Sequence, residues 1–167
     1  MTIVVALGAN LPSPRYGEPT ETLQAALQAL GQSSMDVVAQ SRWYRSAAVP
    51  VSDQPDYING VILVESSQSA PDLLASLHTI EEQFGRVRSV RNEARILDLD
   101  LIDYDGEVHG DPNGPALPHP RMQNRAFVLL PLREVAPDWQ HPVLQRSVEE
   151  LIAELPVEAV ATPLHGN

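Results

Sequence analysis

R-I-L-D-L-D-L-I-D-Y, residues 95–104, is the stretch on which the fold turns. It is apolar enough to be a strand yet carries aspartates two positions apart. Side chains alternate along a strand, so Leu97, Leu99 and Leu101 share one face and Asp98, Asp100 and Ile102 the other. The leucine face is expected to pack on helices, and the turn Asp105-Gly106 follows. Just upstream, residues 69–84 place Leu73, Leu77, Ile80 and Phe84 on one side of an amphipathic helix that Gly85 ends.

Further upstream, residues 57–65 and 35–45 read as strands with a Pro-containing loop between them, residues 47–55. Residues 20–30 read as a helix with Leu23, Ala26, Leu27 and Leu30 on its apolar side. Thr20 is its expected N-cap, Glu21 lies in its first turn, and Gly31 is its expected stop. Residues 2–8 read as a buried strand ending at Gly8. The order β-α-β-β-α-β predicts an α+β, ferredoxin-like core: an antiparallel sheet with helices packed on it. Downstream come a Pro/Gly loop at 109–120 and helices near 125–135 and 147–155. The tail from 157 is expected to be loose. Trp43, Trp139 and Phe84 are expected in the core. One domain over residues 1–167 is expected, because no linker or repeat divides the chain.

The chain of 167 residues has 22 acidic against 11 basic residues, a formal charge of −11. That balance argues against nucleic-acid and anionic-membrane partners. No apolar run approaches the roughly 18–20 residues of a membrane span, and the first residues lack a signal-peptide pattern, so a cytoplasmic protein is expected. Cysteine is absent, which excludes disulfides and thiolate chemistry. Lysine is absent too, so phosphate is expected to be handled by arginine, backbone N–H groups and metal.

The aspartates of the 95–104 strand sit roughly 6.5–7 Å apart at their backbones. Empty, they repel; a hard divalent cation between them makes the pair favourable, and Mg²⁺ characteristically takes one or two carboxylates beside substrate phosphates. A solvated acidic face is the bland reading. Against it stand Arg86, Arg88, Arg91 and Arg95, four of eleven arginines directly before the aspartates. Their forked guanidiniums suit phosphate oxygens, unless they merely pair with Glu81, Glu82 and Glu93. Tyr57 and Asn59, two apart on a strand, could stack on a flat heterocycle and bond its edge, or form an ordinary edge-strand pair. His119, between prolines, could donate to phosphate or be merely exposed.

Six segments, in order, carry a resemblance: A-L-G-A-N-L (6–11), S-R-W-Y-R-S (41–46), D-Q-P-D-Y-I-N (53–59), I-E-E-Q-F-G-R-V-R (80–88), R-I-L-D-L-D-L-I (95–102) and P-H-P-R-M-Q-N-R-A-F-V-L-L-P-L (118–132). With them the chain resembles the 6-hydroxymethyl-7,8-dihydropterin pyrophosphokinases of folate biosynthesis. The resemblance implies an ATP-dependent diphosphokinase that moves pyrophosphate from ATP to the hydroxymethyl group of a reduced pterin, releasing AMP. It implies Asp98 and Asp100 as ligands of two Mg²⁺ ions, with Arg86 and Arg95 as catalytic clamps on the phosphates. His78, Arg88, Arg91, Arg95, His119 and Arg125 would contact ATP. Ser46, Ala47, Val49, Tyr57, Asn59 and Phe127 would bind the pterin, and Glu81 would have a supporting role. The chain is expected to act as a monomer on ATP and pterin. The family's tryptophan before the aspartates is replaced here by Asn92. The competing expectations are a pterin- or nucleotide-binding module without chemistry, and a Mg²⁺-dependent phosphohydrolase.

Overall fold

A computed structural model describes residues 1–47, 54–85, 96–110 and 114–165. The central sheet runs in the order β5-β1-β4-β3-β8, with β2 also paired to β4: β1 (Ile3–Ala9), β2 (Asp36–Gln40), β3 (Tyr44–Ser46), β4 (Tyr57–Glu65), β5 (Asp98–Tyr104) and β8 (Thr162–Pro163). Every pairing is antiparallel. With α1 (Pro19–Gly31) after β1 and α2 (Ala70–Gln83) after β4, this is the ferredoxin-like order, and the chain has the expected α+β fold.

Each face of the sheet has its own core. On one, Ile3, Val5 and Leu7 of β1 meet Leu97, Leu99 and Leu101 and the apolar sides of α1 and α2. On the other, Val4, Ala6, Val61 and Ile102 are covered by Val128, Leu129 and Leu132 of α3 (Ala126–Val135) and by Val148 and Leu151 of α4 (Val148–Ala153). Two-residue alternation therefore serves two helical layers, which is why β1 is buried at every position. Trp43, Phe84 and Trp139 are core residues, as expected.

Several boundaries differ from expectation. The predicted strand over 35–45 is two strands, because the chain leaves the β4 ladder after Gln40. At the break the Ser41 N–H donates to the Val61 carbonyl (2.9 Å), and the Ser41 hydroxyl accepts from the Val61 N–H (3.0 Å). One side chain thus replaces a missing ladder partner. Helix α1 starts a residue early: Pro19 occupies its first position and Glu18 its cap, whose N–H donates to Glu21 (3.3 Å), leaving Thr20 inside the helix. Gly31 is still helical and the cap is Gln32.

The 109–120 loop holds a small ribbon of β6 (His109–Gly110) and β7 (Ala116–Leu117). The tail is not wholly loose. β8 adds to the outer edge of β3, Ala161 is buried, and the Leu164 N–H donates to the Trp43 carbonyl (2.9 Å).

β5 itself contains an irregularity. Val4 faces Asp103 and Val5 faces Leu101, so Ile102 is an extra residue. Such a bulge reverses the phase of alternation beyond it. Asp103 therefore turns toward Trp139, whose indole N–H donates to it (3.1 Å), and Tyr104 joins the leucine face.

Candidate active site

The sheet register brings five of the predicted residues, Asp98, Asp100, Asn59, Tyr57 and Ser46, onto one surface. Gly8 pairs with Asp98 on one side and Asn59 on the other, and Asn59 pairs with Tyr44. Directly opposed residues in antiparallel strands project to the same face. Asp98, Gly8, Asn59 and Tyr44 thus form one row across four strands. Asp100 and Ala6 form the next row on one side, Tyr57 and Ser46 on the other. All project on the α3 face.

Strand spacing puts the Asp98 backbone about 10 Å from that of Asn59. Gly8 between them is needed for space: a Cβ there would lie 2.8 Å from Asn59 Oδ1 and 3.8 Å from the Tyr57 ring. Asn59 is buried, and its amide N–H donates to the Ser46 hydroxyl (2.8 Å). β4 lies inside the sheet, so Tyr57 and Asn59 are not on an edge strand. Tyr57, Asp98 and Asp100 are partly exposed.

The loop after β7 carries His119 to the same end. Its backbone N–H donates to the Ile102 carbonyl (2.8 Å), which docks the loop on β5. The Arg121 N–H donates to His119 Nδ1 (3.1 Å), so the neutral ring carries its proton on Nε2 and presents a donor. Burial, then the charges of Arg125 and Arg121, push His119 down to about 4, while Asp98 pulls the other way. At neutral pH this histidine is an uncharged donor beside the aspartates. Arg125 caps α3, and its guanidinium lies over the Phe127 ring at 5.4 Å. Phe127 is half-buried, between the α3-face core and the smaller cluster around Tyr44, Ala126 and Ala161.

Of the other expected residues, Ala47 lies exposed just beyond β3. His78 is on α2, one turn before Glu81. Glu81 is wholly buried and accepts the Leu99 N–H (2.7 Å), capping the outer edge of β5 between the two aspartates. Val49, Arg86, Arg88, Arg91, Asn92, Glu93 and Arg95 lie outside the described residues. Among the described residues no group of three or more His, Asp or Glu is gathered as a metal cage. Two carboxylates on one strand face are what Mg²⁺ needs from a protein when phosphates complete its shell.

Asn10 escaped the residue-by-residue reading. It is buried at the end of β1, and its amide donates to Gln54 Oε1 (3.2 Å) and the Pro55 carbonyl (3.1 Å), anchoring the approach to Tyr57. It stands in the A-L-G-A-N-L segment just after the first strand, and the sequence assigns it no role there. A cavity of about 450 Å³ on the other side of the sheet, between the Arg15–Tyr16 turn, α1 and the end of α2, contains none of the candidate residues. No helix among the described residues is long and apolar enough to cross a membrane.

Comparison with known proteins bears on the family and the fold. A curated relative from Synechocystis, a 2-amino-4-hydroxy-6-hydroxymethyldihydropteridine pyrophosphokinase, is 42% identical over 158 residues, 94% of this chain and 77% of the relative. A Pseudomonas aeruginosa protein of the same name is 41% identical, with 95% and 94% covered. Among solved structures, a Plasmodium falciparum HPPK-DHPS triple mutant superposes with a TM-score of 0.70 over 92% of this chain; at 13% identity this is a likeness of fold. The chain spans 44% of that protein's length. The model for 7,8-dihydro-6-hydroxymethylpterin-pyrophosphokinase matches residues 4–137, and on these matches the chain belongs to that family.

Proposed function

We infer that the chain is a working pyrophosphokinase of folate biosynthesis, which transfers the β,γ-pyrophosphate of ATP to the hydroxymethyl oxygen of 6-hydroxymethyl-7,8-dihydropterin. The observation that carries this is the cross-strand row. It puts Asp98 and Asp100 on the same sheet surface as Asn59, Tyr57 and Ser46, about two strand spacings apart. A carboxylate pair suited to metal–phosphate and an aromatic–amide pair suited to a flat heterocycle therefore face one space.

In this proposal Asp98 and Asp100 hold Mg²⁺, two ions with ATP bound, and the metal supplies charge neutralisation and alignment of the triphosphate. His119 donates its Nε2–H to a phosphate oxygen, and Arg125 adds positive charge at the start of α3. Arg86 and Arg95 clamp the phosphates that develop charge, with Arg88, Arg91 and His78 contributing to ATP binding. Tyr57 and Phe127 contact the pterin ring, and Asn59 bonds its polar edge. Ser46 holds the Asn59 amide in orientation, and Ala47 and Val49 offer backbone groups. The pterin hydroxyl oxygen bonds to the β-phosphorus, the bond from that phosphorus to the α-bridging oxygen breaks, AMP leaves with that oxygen, and the hydroxyl proton passes to solvent. No general base is required, because positioning and electrostatics carry most of phosphoryl-type transfer. A cytoplasmic monomer is part of the same proposal.

The test is AMP formation from ATP and Mg²⁺, with and without the dihydropterin. Wild type is expected to form AMP only with pterin, and Asp98→Ala to lose at least about 10²-fold in rate while remaining folded. Pterin binding without AMP in wild type would instead establish a binding module, and AMP or ADP without pterin a phosphohydrolase.

A further inference from the structure

The S-R-W-Y-R-S segment holds a cluster with no part in the chemistry above. Glu134, near the end of α3, accepts the Arg42 backbone N–H (2.9 Å) and Arg42 Nε–H (3.1 Å), and the Tyr44 hydroxyl donates to the same carboxylate. The Tyr44 ring is buried between β3 and α3. Burial pushes the Glu134 carboxyl up, but the hydrogen bonds from Arg42 and Tyr44 and the Arg42 charge together hold it below its usual value. Burial, then the bond to Glu134, raises the Tyr44 phenol. One carboxylate therefore ties α3 both to the segment where the chain leaves the β4 ladder and to β3.

The two tied elements carry opposite sides of the proposed pterin site. Tyr44 pairs with Asn59, and Ser46 of the same short strand accepts the Asn59 amide. On α3, Phe127 is seven residues before Glu134, two turns away and on the same side of the helix. The tie thus spans the sheet side and the helix side two turns from the aromatic ring. β3 is only three residues long, with the two-residue β8 as its outer neighbour, so its ladder alone holds it weakly.

We propose that Glu134 is a positioning residue which, through Tyr44 and Arg42, sets the spacing of α3 from β3 and hence the fit of the pterin between Phe127 and Asn59. The ligand's identity rests on the pyrophosphokinase reading; the tie does not. The test is calorimetric titration of wild type, Tyr44→Phe and Glu134→Ala with 6-hydroxymethyl-7,8-dihydropterin, and separately with a non-hydrolysable ATP analogue and Mg²⁺. Thermal melts run alongside. Tyr44→Phe keeps the ring in the core and removes only the donor.

Both variants are expected to stay folded and to weaken pterin binding roughly tenfold, with the ATP analogue changed by less than about threefold. The double variant should be about as weak as the worse single, because the two groups act as one unit. Folded variants that melt lower but bind pterin as wild type does would reduce the tie to a structural contact and overturn the proposal. Wild type that binds no pterin would overturn the pyrophosphokinase reading and this inference with it, an outcome distinct from the former.

Discussion

Asp103 shows how much one residue's surroundings change its chemistry. It lies five residues beyond Asp98 on the same strand, yet it is 2% exposed while Asp98 is partly open. Its Oδ2 accepts from Trp139 and from the Gly106 N–H (3.4 Å), and among the described residues its Oδ1 has no hydrogen-bond partner. Burial raises its carboxyl above the ordinary value; the Trp139 and Gly106 bonds lower it, and the nearby Asp105 and Glu107 raise it further. A carboxyl raised on folding binds its proton more readily in the native state. Its contribution to stability is therefore greatest below the unfolded value, about 4, and is lost as pH rises through the native one. Asp103→Asn removes that loss. Urea unfolding of both proteins between pH 4 and 8 is expected to show the Asn variant gaining on wild type as pH rises. A pH-independent difference would contradict the assignment.

At the scale of elements, the junction of β2, β3 and β4 is tightly specified. Gly60 faces the α1–α2 core, and a Cβ on it would lie 2.5 Å from two atoms of the Trp43 ring. Trp43 is 4% exposed and has little room to retreat. Gly60→Ala is expected to destabilise the protein by about 2–3 kcal/mol, a typical cost of overpacking, seen as a lower urea midpoint with an unchanged m-value. A cost under about 0.5 kcal/mol would mean that the ring shifts freely. The same junction explains why residues 35–45 cannot be one strand. Gln40 pairs with Ile62 but Tyr44 with Asn59, so four steps along one side span three along β4, and the Ser41 hydroxyl bridges the gap.

For the whole molecule, the charge distribution matters more than the total. On the proposed function, a protein of net charge −11 has to draw in a polyanionic nucleotide. Arg121 and Arg125 put positive charge beside His119, where the triphosphate is proposed to bind, and four more arginines precede β5 in the sequence. Such local attraction is screened by salt, whereas stacking and amide contacts to an uncharged pterin are not. Raising NaCl from about 0.05 to about 0.3 M is therefore expected to raise KM for ATP several-fold and KM for the pterin by less than about twofold. Equal shifts in both would argue against an arginine-lined nucleotide site.

Much of this was legible in the chain itself. Period-2 and period-3.6 patterns identified four strand segments, both long helices and hence the ferredoxin-like order, though not the split of 35–45 or the short strands β6 to β8. The D-x-D alternation, with the arginines before it and the segments around His119 and Tyr57, marked the candidate residues, since those side chains are chemically distinctive. What the sequence could not contain was register. Only cross-strand pairing puts Asp98, Gly8, Asn59 and Tyr44 in one row, and only the bulge at Ile102 turns Asp103 inward while Asp98 and Asp100 stay on the open part of the same face. The break after Gln40, the β8 addition and the Glu134 tie belong to the same class. Each depends on partners 20 to 120 residues distant, whose meeting is decided by packing and leaves no local period in the chain.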